Sequence, residues 1–186
     1  MMQKKVQIIS DGSLDLSQEL TKEKDIEVVP FYVSFDSETY QKEMVEVGVR
    51  EFYQEMVDHP TVFPKTSMPS VHDYYEVFEK HAKEQLPVIC ICITRKFSGS
   101  LQSATTAKDM ILEEYPDAQI TVIDSTVNTV LQGLYVLEAC RLRDMGLEYQ
   151  QIVDALLPIR ETGRIFFTIG SIDYLKHGAR IGKLAG

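Results

Sequence analysis

Residues 87–104 read Pro87-Val-Ile-Cys-Ile-Cys-Ile-Thr-Arg-Lys-Phe-Ser-Gly-Ser-Leu-Gln-Ser-Ala104. The apolar run that ends at Thr94 has the length and the β-branched content of a strand buried on both faces. From Ser100 to about Tyr115, apolar residues recur at helical spacing, and charged residues fall on the other side. A doubly buried strand followed by an amphipathic helix predicts an α/β protein with a parallel sheet.

The joint between this strand and this helix is Ser98-Gly99-Ser100. Its glycine is permissive for the backbone, and its hydroxyls stand where the unpaired N–H groups of a helix start need an acceptor. Two interpretations are open at this point. Either Ser98 or Ser100 simply caps the helix, or the joint holds an anion.

A second joint of the same kind lies earlier, in Lys65-Thr-Ser-Met-Pro-Ser-Val71. This hydroxyl-rich stretch is predicted to be a loop, with Ser67 or Ser70 capping the helix that follows. The two joints would then stand at the starts of successive helices of one α/β unit. Open parallel sheets commonly bind their ligands at such positions.

Composition narrows the class of protein. Of the 186 residues, 44% are apolar and 25% charged, which is ordinary for a soluble globular protein. This length is enough for one full domain with a sizeable core, or for one domain and part of a second. A net charge of -9 argues against a general binder of nucleic acid or of anionic membranes. The first apolar run is too short for a signal peptide, and no segment approaches the roughly 20 apolar residues of a membrane span, so a cytoplasmic protein is expected.

Asp11 and the cysteines are the remaining side chains with chemistry to offer. Asp11, in the turn after the first strand, could orient a ligand group or coordinate a metal, or it could bond its own backbone as turn aspartates do. Cys90 and Cys92 point to one face of their strand and are interpreted as buried thiols, as is Cys140. No metal site and no cofactor are expected.

The rest of the chain continues the alternation of strands and helices. Pro30 lies inside the second predicted strand and indicates an edge or a bulge, and the polar stretch 37–48 is expected to be a loop or a hairpin. The organisation predicted is an N-terminal α/β domain at residues 1–160, with helices on both faces of a parallel sheet, and the beginning of an incomplete second α/β domain at 161–186. Further strands are predicted at Val6–Ser10, Ile26–Phe35, Ala118–Asp124 and 165–170, and further helices at Gln18–Lys24, Val49–Val57, Thr129–Met145 and Tyr149–Thr162.

Five motifs in register give the chain a resemblance to a known family. They are Ser10-Asp-Gly-Ser-Leu-Asp-Leu16, Thr66-Ser-Met-Pro-Ser70, Ser98-Gly-Ser-Leu-Gln-Ser-Ala104, Asp124-Ser125 and Tyr174-Leu-Lys-His-Gly-Ala-Arg-Ile181. Singly none is specific, but in this order they resemble the DegV family of bacterial fatty-acid-binding proteins, which have the EDD fold and include the acyl-carrying subunit of fatty acid kinase. The resemblance implies two α/β domains with a long-chain fatty acid between them. It places carboxylate-binding hydroxyls on Thr66 and Ser98. We also expect supporting contacts from Ser67, Gly99, Ser100 and Ser125, and a partner contact from Arg180.

The resemblance also implies what the protein does with its ligand. A separate ATP-dependent kinase subunit would phosphorylate the bound carboxyl group to an acyl phosphate, so the chain itself would be a lipid-binding protein and not an enzyme. Two glycines of the family pattern are replaced, by Leu131 and by Ala179, and family members usually continue beyond residue 186. A truncated or divergent relative is therefore expected.

Two other hypotheses remain beside the fatty acid carrier. An esterase or acyltransferase with Ser98 as nucleophile lacks the first glycine of a nucleophile elbow and a histidine in a recognisable catalytic context. The other alternative is a divergent, non-catalytic interaction or phosphate-binding module that has lost lipid binding, with Arg180 and Lys183 toward an acidic partner. No Walker or Rossmann glycine pattern supports nucleotide binding.

Overall fold

The structure is a computed structural model and describes residues 6–166 and Thr168. The chain folds as two compact units. The larger unit comprises the described residues up to Val29 together with Met68–Arg164, and Pro30–Ser67 belong to the smaller unit. The boundary predicted at residues 160 and 161 stays a prediction, because most of 161–186 lies outside the described residues.

Strands and helices alternate along most of the described chain. In chain order the elements are β1 (Gln7–Asp11), α1 (Gln18–Glu23), β2 (Ile26–Val29), β3 (Tyr32–Ser34), β4 (Gln41–Lys42), α2 (Val49–Asp58), β5 (Lys65–Ser67), α3 (Val71–Lys83), β6 (Val88–Cys92), α4 (Ser100–Glu114), β7 (Ile120–Asp124), α5 (Thr129–Asp144) and α6 (Tyr149–Ile159). A short 3-10 turn, Gly12–Leu14, follows β1. The strand predicted at 165–170 falls largely outside the described residues.

The larger unit is built on a four-stranded sheet of order β2-β1-β6-β7. All three strand pairings are parallel, with Ile8 paired to Ile26 on one side and to Ile89 on the other. Every residue of the two central strands, β1 and β6, is buried. The prediction that β6 is buried on both faces is therefore confirmed.

Helices cover both faces of this sheet, as predicted. Side chains alternate between the faces, so Ile8 and Ile89 pack into a core with α5 and α6, whereas Ile9 and Cys90 pack into a second core with α3 and α4. Burial of each large apolar side chain stabilises the fold by roughly 1.5 to 3 kcal/mol relative to exposure. The two cores pack the sheet between two helical layers, α5 with α6 and α3 with α4.

The predicted strand Ile26–Phe35 is in fact two strands, and this prediction was wrong. β2 ends at Val29 in the parallel sheet, and β3 begins after Pro30 in the smaller unit, where it pairs antiparallel with β4 and β5. Proline has no N–H to donate to a sheet, so the pairing is interrupted there. The predicted loop at 65–71 also contains β5, whose residues Lys-Thr-Ser give no alternation of apolar side chains.

Two further features of the described residues bear on function. None of the helices in residues 6–166 combines the length and the apolar character that crossing a lipid bilayer requires. In the same range, no three His, Cys, Asp or Glu side chains are grouped so that they could hold a metal ion. Cys90, Cys92 and Cys140 are free and buried, as predicted.

Because the four strands are parallel, their carboxyl ends lie along one edge of the sheet. Asp11, Cys92 and Asp124 end β1, β6 and β7 at this edge. The turns that follow carry Ser98 and Ser125. The edge therefore holds the polar side chains from which a site in the larger unit can be built.

Candidate functional site

Ser98 lies in the short loop between β6 and α4. The loop turns on Thr94, whose carbonyl oxygen accepts hydrogen bonds from the backbone N–H groups of Phe97 and Ser98, at 3.0 and 3.3 Å. Thr94 is itself anchored, because its N–H donates to the carbonyl oxygen of Val127 at 3.0 Å. These bonds place Ser98 at the entrance to α4.

The Ser98 hydroxyl makes a local turn and does not close the helix. Its Oγ accepts a hydrogen bond from the backbone N–H of Ser100 at 3.2 Å. The N-cap residue of α4 is Gly99, which provides no side-chain cap. Within residues 6–166, no protein acceptor takes the Ser98 hydroxyl proton. The joint thus keeps a free hydroxyl donor beside an uncapped helix start, where the helix dipole favours negative charge.

The start of α3 differs from the start of α4. Ser70 Oγ accepts the N–H of Asp73 at 3.1 Å, and a carboxylate oxygen of Asp73 accepts the N–H of Ser70 at 2.8 Å. Either Ser67 or Ser70 was predicted to cap this helix, and the reciprocal capping box shows that Ser70 does. The capping box therefore satisfies the N–H groups of Ser70 and Asp73 within the protein.

Thr66 and Ser67 lie on β5 and not at a helix start, which corrects the expectation for this joint. Thr66 is paired with Val33 and Ser67 with Tyr32, and both residues are exposed. Thr66 belongs to the smaller unit and Ser98 to the larger one. That the two hydroxyls bind one carboxylate stays a prediction.

Met68 lies against the joint that carries Ser98. A Cβ atom added to Gly99 would lie 2.5 Å from the Sδ atom of Met68. Glycine at position 99 therefore lets the Met68 side chain approach the backbone of the joint closely. The residue that directly follows β5 is thus packed against the residue that directly follows Ser98.

Asp11 is the most densely hydrogen-bonded side chain at this edge, and it is fully buried. One carboxylate oxygen accepts the Ser100 hydroxyl at 2.6 Å and the backbone N–H of Ile93 at 2.9 Å. The other accepts the Gln132 amide at 2.8 Å and the N–H of Ser13 at 3.3 Å. Burial raises the pKa of Asp11 above its ordinary value, and the four hydrogen bonds oppose this shift.

Sequence reasoning missed most of this network. The expected turn bond from Asp11 to its own backbone is present, to Ser13, but the links to Ser100 and Gln132 span 89 and 121 residues. Gln132 Nε2 also donates to Ser10 Oγ at 3.0 Å. Polar residues at the end of a buried strand were the signal available in the sequence.

Tyr74 extends the network into the core of the α3 and α4 face. Its hydroxyl lies 2.6 Å from Ser100 Oγ and 3.8 Å from the Sγ of Cys92. Because Ser100 has one hydroxyl proton and donates it to Asp11, Tyr74 must donate to Ser100. The hydroxyl of Ser100, predicted as a supporting ligand contact, is therefore engaged within the protein.

The other predicted contacts lie apart from the Asp11 network. The Ser125 hydroxyl is buried and bonds the backbone of Val127 both as donor, at 3.0 Å, and as acceptor, at 3.3 Å. Leu131, which replaces a glycine of the family pattern, packs against Gly163. A Cβ atom added to Gly163 would lie 2.7 Å from a terminal methyl of Leu131. Arg180 lies outside the described residues.

The described histidines are paired with carboxylates elsewhere. His59 pairs with Glu55, His72 with Glu76, and His81 with Glu27. Among the described residues, none of them hydrogen-bonds Ser98. The part of the chain in view therefore offers Ser98 no histidine base.

Comparison with known proteins shows the same family for the whole chain. The family model described as "Uncharacterised protein, DegV family" matches residues 5–186. A DegV domain-containing protein of Clostridium perfringens is 31% identical over 180 residues, which are 97% of this chain and 62% of that protein.

Two solved structures share the fold closely. A stearic acid-binding protein from Eubacterium ventriosum is 48% identical, with a TM-score of 0.92 over 97% of this chain and 62% of that one. A DegV family protein from Thermus thermophilus, described by its fatty acid binding, is 29% identical, with a TM-score of 0.79 over the same shares of the two chains. This chain spans about 62% of the length of these relatives. By the family model and by these likenesses, the chain belongs to the DegV family.

Proposed function

We propose that the chain binds a long-chain fatty acid and holds its carboxylate through the hydroxyls of Thr66 and Ser98. The observation that carries the proposal is the uncapped start of α4 with the Ser98 hydroxyl beside it. A carboxylate accepts several hydrogen bonds at once, and a helix N-terminus favours its negative charge. The likeness to a stearic acid-binding protein supports a fatty acid as the source of that carboxylate.

The chemistry of the ligand supports a pair of hydroxyls. A carboxylate has two oxygens, and each of them can accept a hydrogen bond from a different hydroxyl.

Affinity and orientation would come from different parts of the ligand. About 14 buried methylenes at roughly 0.8 kcal/mol each contribute about 11 kcal/mol before the costs of association. One hydrogen bond to a charged group contributes roughly 1.5 to 3 kcal/mol. The acyl chain would therefore dominate affinity, and the hydroxyls would select the acid and fix its orientation.

We further propose that the chain presents the acid to a separate kinase and catalyses nothing alone. Formation of an acyl phosphate needs a phosphoryl donor and groups that stabilise the transferring phosphoryl group. The described residues provide Ser98 with neither a histidine base nor a metal cluster. A carrier role asks less of the site, because it requires only binding and exposure of the carboxyl group.

The direct test is the lipid content of the purified chain. Lipid extraction and mass spectrometry after expression in a fatty-acid-rich host should detect long-chain fatty acid. Ser98→Ala should retain about a tenth or less of the affinity for stearic acid, as loss of one charge-assisted hydrogen bond predicts. Ser103→Ala, one turn further along α4, is the matched control and should bind as the wild type does.

Thr66→Val tests the other hydroxyl, because valine keeps the β-branched shape that suits β5. The affinity for stearic acid should fall as it does for Ser98→Ala, whereas Thr61→Val, at another exposed threonine of the smaller unit, should have no effect. Absence of lipid together with thermal stabilisation by inorganic phosphate would favour the phosphate-binding alternative. Ester hydrolysis that Ser98→Ala abolishes would favour an enzyme.

A further inference from the structure

We propose that Asp11 is the positioning residue of the fatty acid site, and that it acts through Ser100 to aim the Ser98 hydroxyl at the ligand carboxylate. The inference rests on the proposed function, because it assigns a further residue to the same site. Asp11 itself is fully buried at the end of β1 and would not touch the ligand.

A single oxygen of Asp11 fixes both ends of the loop that carries Ser98. This oxygen accepts the N–H of Ile93, the residue directly after β6, and the hydroxyl of Ser100, the first residue of α4. The loop 94–99 lies between these two anchors. Movement of either anchor would change the position of Ser98 relative to the start of the helix.

Ser100 connects Asp11 to Ser98 through two different atoms. Its hydroxyl donates to Asp11 at 2.6 Å, and its backbone N–H donates to Ser98 Oγ at 3.2 Å. A serine oxygen has one proton and two lone pairs, and the N–H of Ser100 occupies one lone pair of Ser98. The proton of Ser98 is thereby directed away from Ser100, toward an acceptor outside the turn.

Every neighbour that bonds Asp11 is a donor. Besides Ile93 and Ser100, the Gln132 amide and the N–H of Ser13 donate to the carboxylate. Tyr74 in turn donates to Ser100, so the chain of hydrogen bonds runs toward Asp11. Such a site fits a carboxylate, which only accepts hydrogen bonds. The NH2 group of an asparagine in its place would face at least one of these donors and could not bond it.

The unfavourable free energy of burying the Asp11 carboxylate indicates that this residue has a functional role. In the described residues no cation pairs with Asp11, and burial of a carboxylate without a cation is unfavourable. Apolar side chains of similar volume would hold β1, β6 and α4 together without that cost. Unlike apolar side chains, the Asp11 carboxylate fixes the orientation of each hydrogen-bond donor around it.

The test compares an acid with its ester, so that loss of carboxylate recognition is separated from loss of the fold. Direct fluorescence titrations give the dissociation constants of cis-parinaric acid and of its methyl ester. In the wild type the acid should bind about tenfold or more tightly than the ester. Asp11→Asn should reduce this preference toward unity while it changes ester binding by less than about threefold.

Control variants show how the effect is transmitted. Ser98→Ala should lose the preference as Asp11→Asn does, and the double variant should lose no more than Ser98→Ala alone, since both changes act on one interaction. Ser103→Ala should keep the full preference. If Asp11→Asn does not fold, Ser100→Ala retains the charge and removes the link, and it should show the same loss of preference.

The outcomes separate this inference from the proposed function. A wild type that prefers the acid, with Asp11→Asn keeping that preference, overturns the positioning role and leaves the proposed function intact. Equal weakening of acid and ester in Asp11→Asn shows a purely structural role and also overturns the inference. A wild type that binds neither ligand, or shows no preference, contradicts the proposed function itself.

Discussion

Gly133 of α5 lies directly against the carbonyl oxygen of Leu14, since a Cβ atom at position 133 would be only 2.3 Å from that oxygen. The absence of a side chain lets the helix approach the 3-10 turn that follows β1. The preceding residue, Gln132, then reaches Asp11 at 2.8 Å. Gly133 thus lets α5 pack close to the hydrogen-bond network of Asp11 at the edge of the sheet.

Gly133→Ala should lower the free energy of unfolding by about 1 to 3 kcal/mol, because the new methyl group meets backbone that cannot swing away. Urea denaturation followed by circular dichroism measures the loss. Gly163→Ala is the matched comparison, since the atoms nearest to its methyl group would all belong to the side chain of Leu131. Because a leucine side chain can rotate, this variant should lose less stability, and equal losses would contradict the explanation.

Thr129→Asn should raise the free energy of unfolding by about 0.5 to 1 kcal/mol. Thr129 has a φ of 51°, a left-handed conformation that a β-branched side chain adopts only under strain and that asparagine tolerates. The side chain is exposed, so the substitution removes no packing. Val130→Asn, at the exposed neighbouring position without a positive φ, should bring no gain in thermal denaturation.

The three cysteines should resist alkylation while the protein is folded. The hydrogen bond with Cys90 and burial raise the pKa of Cys92, and burial raises the pKa of Cys140 to about 11. Since the thiolate is the reactive form, both effects suppress the reaction near neutral pH. Titration with a thiol reagent should detect no fast-reacting cysteine in the native state and all three in denaturant. A rapidly modified cysteine in the native protein would be inconsistent with the buried network.

The free energy of unfolding should decrease at acidic pH, because Glu27 becomes protonated. Burial raises the pKa of Glu27, but hydrogen bonds and charge from His81 and Lys80 outweigh it and hold the pKa below its ordinary value of 4.5. A lowered carboxylate pKa contributes stability that is complete above the unfolded value and is lost as the pH falls through the folded value. Urea unfolding as a function of pH should therefore show the loss below about pH 4.5.

Two variants check this assignment. Glu27→Gln should be less stable near neutral pH and should lose less stability on acidification than the wild type. Glu76→Gln removes an exposed carboxylate of α3 and should keep the wild-type pH dependence. An unchanged acid slope in Glu27→Gln would show that other carboxylates carry the effect.

Most of the secondary structure follows from local patterns. β6 is recognisable because a central parallel strand must be apolar on both faces, and α4 because one side of it packs on the sheet. β5 was missed because it is stabilised by pairing with β3 and not by its own residues, Lys-Thr-Ser. Pro30 marked an interruption, but the separation of β2 from β3 into different units depends on pairing partners that are distant in the sequence.

The candidate site divides in the same way. Ser98 could be singled out from the sequence, because a Ser-Gly-Ser joint after a buried strand has few physical roles. Asp11 could be identified as a polar residue at the end of a strand, but its hydrogen bonds could not be predicted. Its partners Ser100 and Gln132 lie 89 and 121 residues away in the sequence. Whether a hydroxyl stays available for a ligand can depend on such distant partners, as Ser100 illustrates, because its hydroxyl donates to Asp11.

By itself, the sequence determined the α/β class, the buried central strand, the Ser98-Gly99-Ser100 joint and the family resemblance. These properties depend on patterns among residues that are close together in the sequence. Only the tertiary structure decided that a buried carboxylate, Asp11, anchors the Ser98 loop and accepts the hydroxyl proton of Ser100. Hydrogen bonds between distant segments settle such questions, and their partners are chosen by the packing of the whole sheet and its helices.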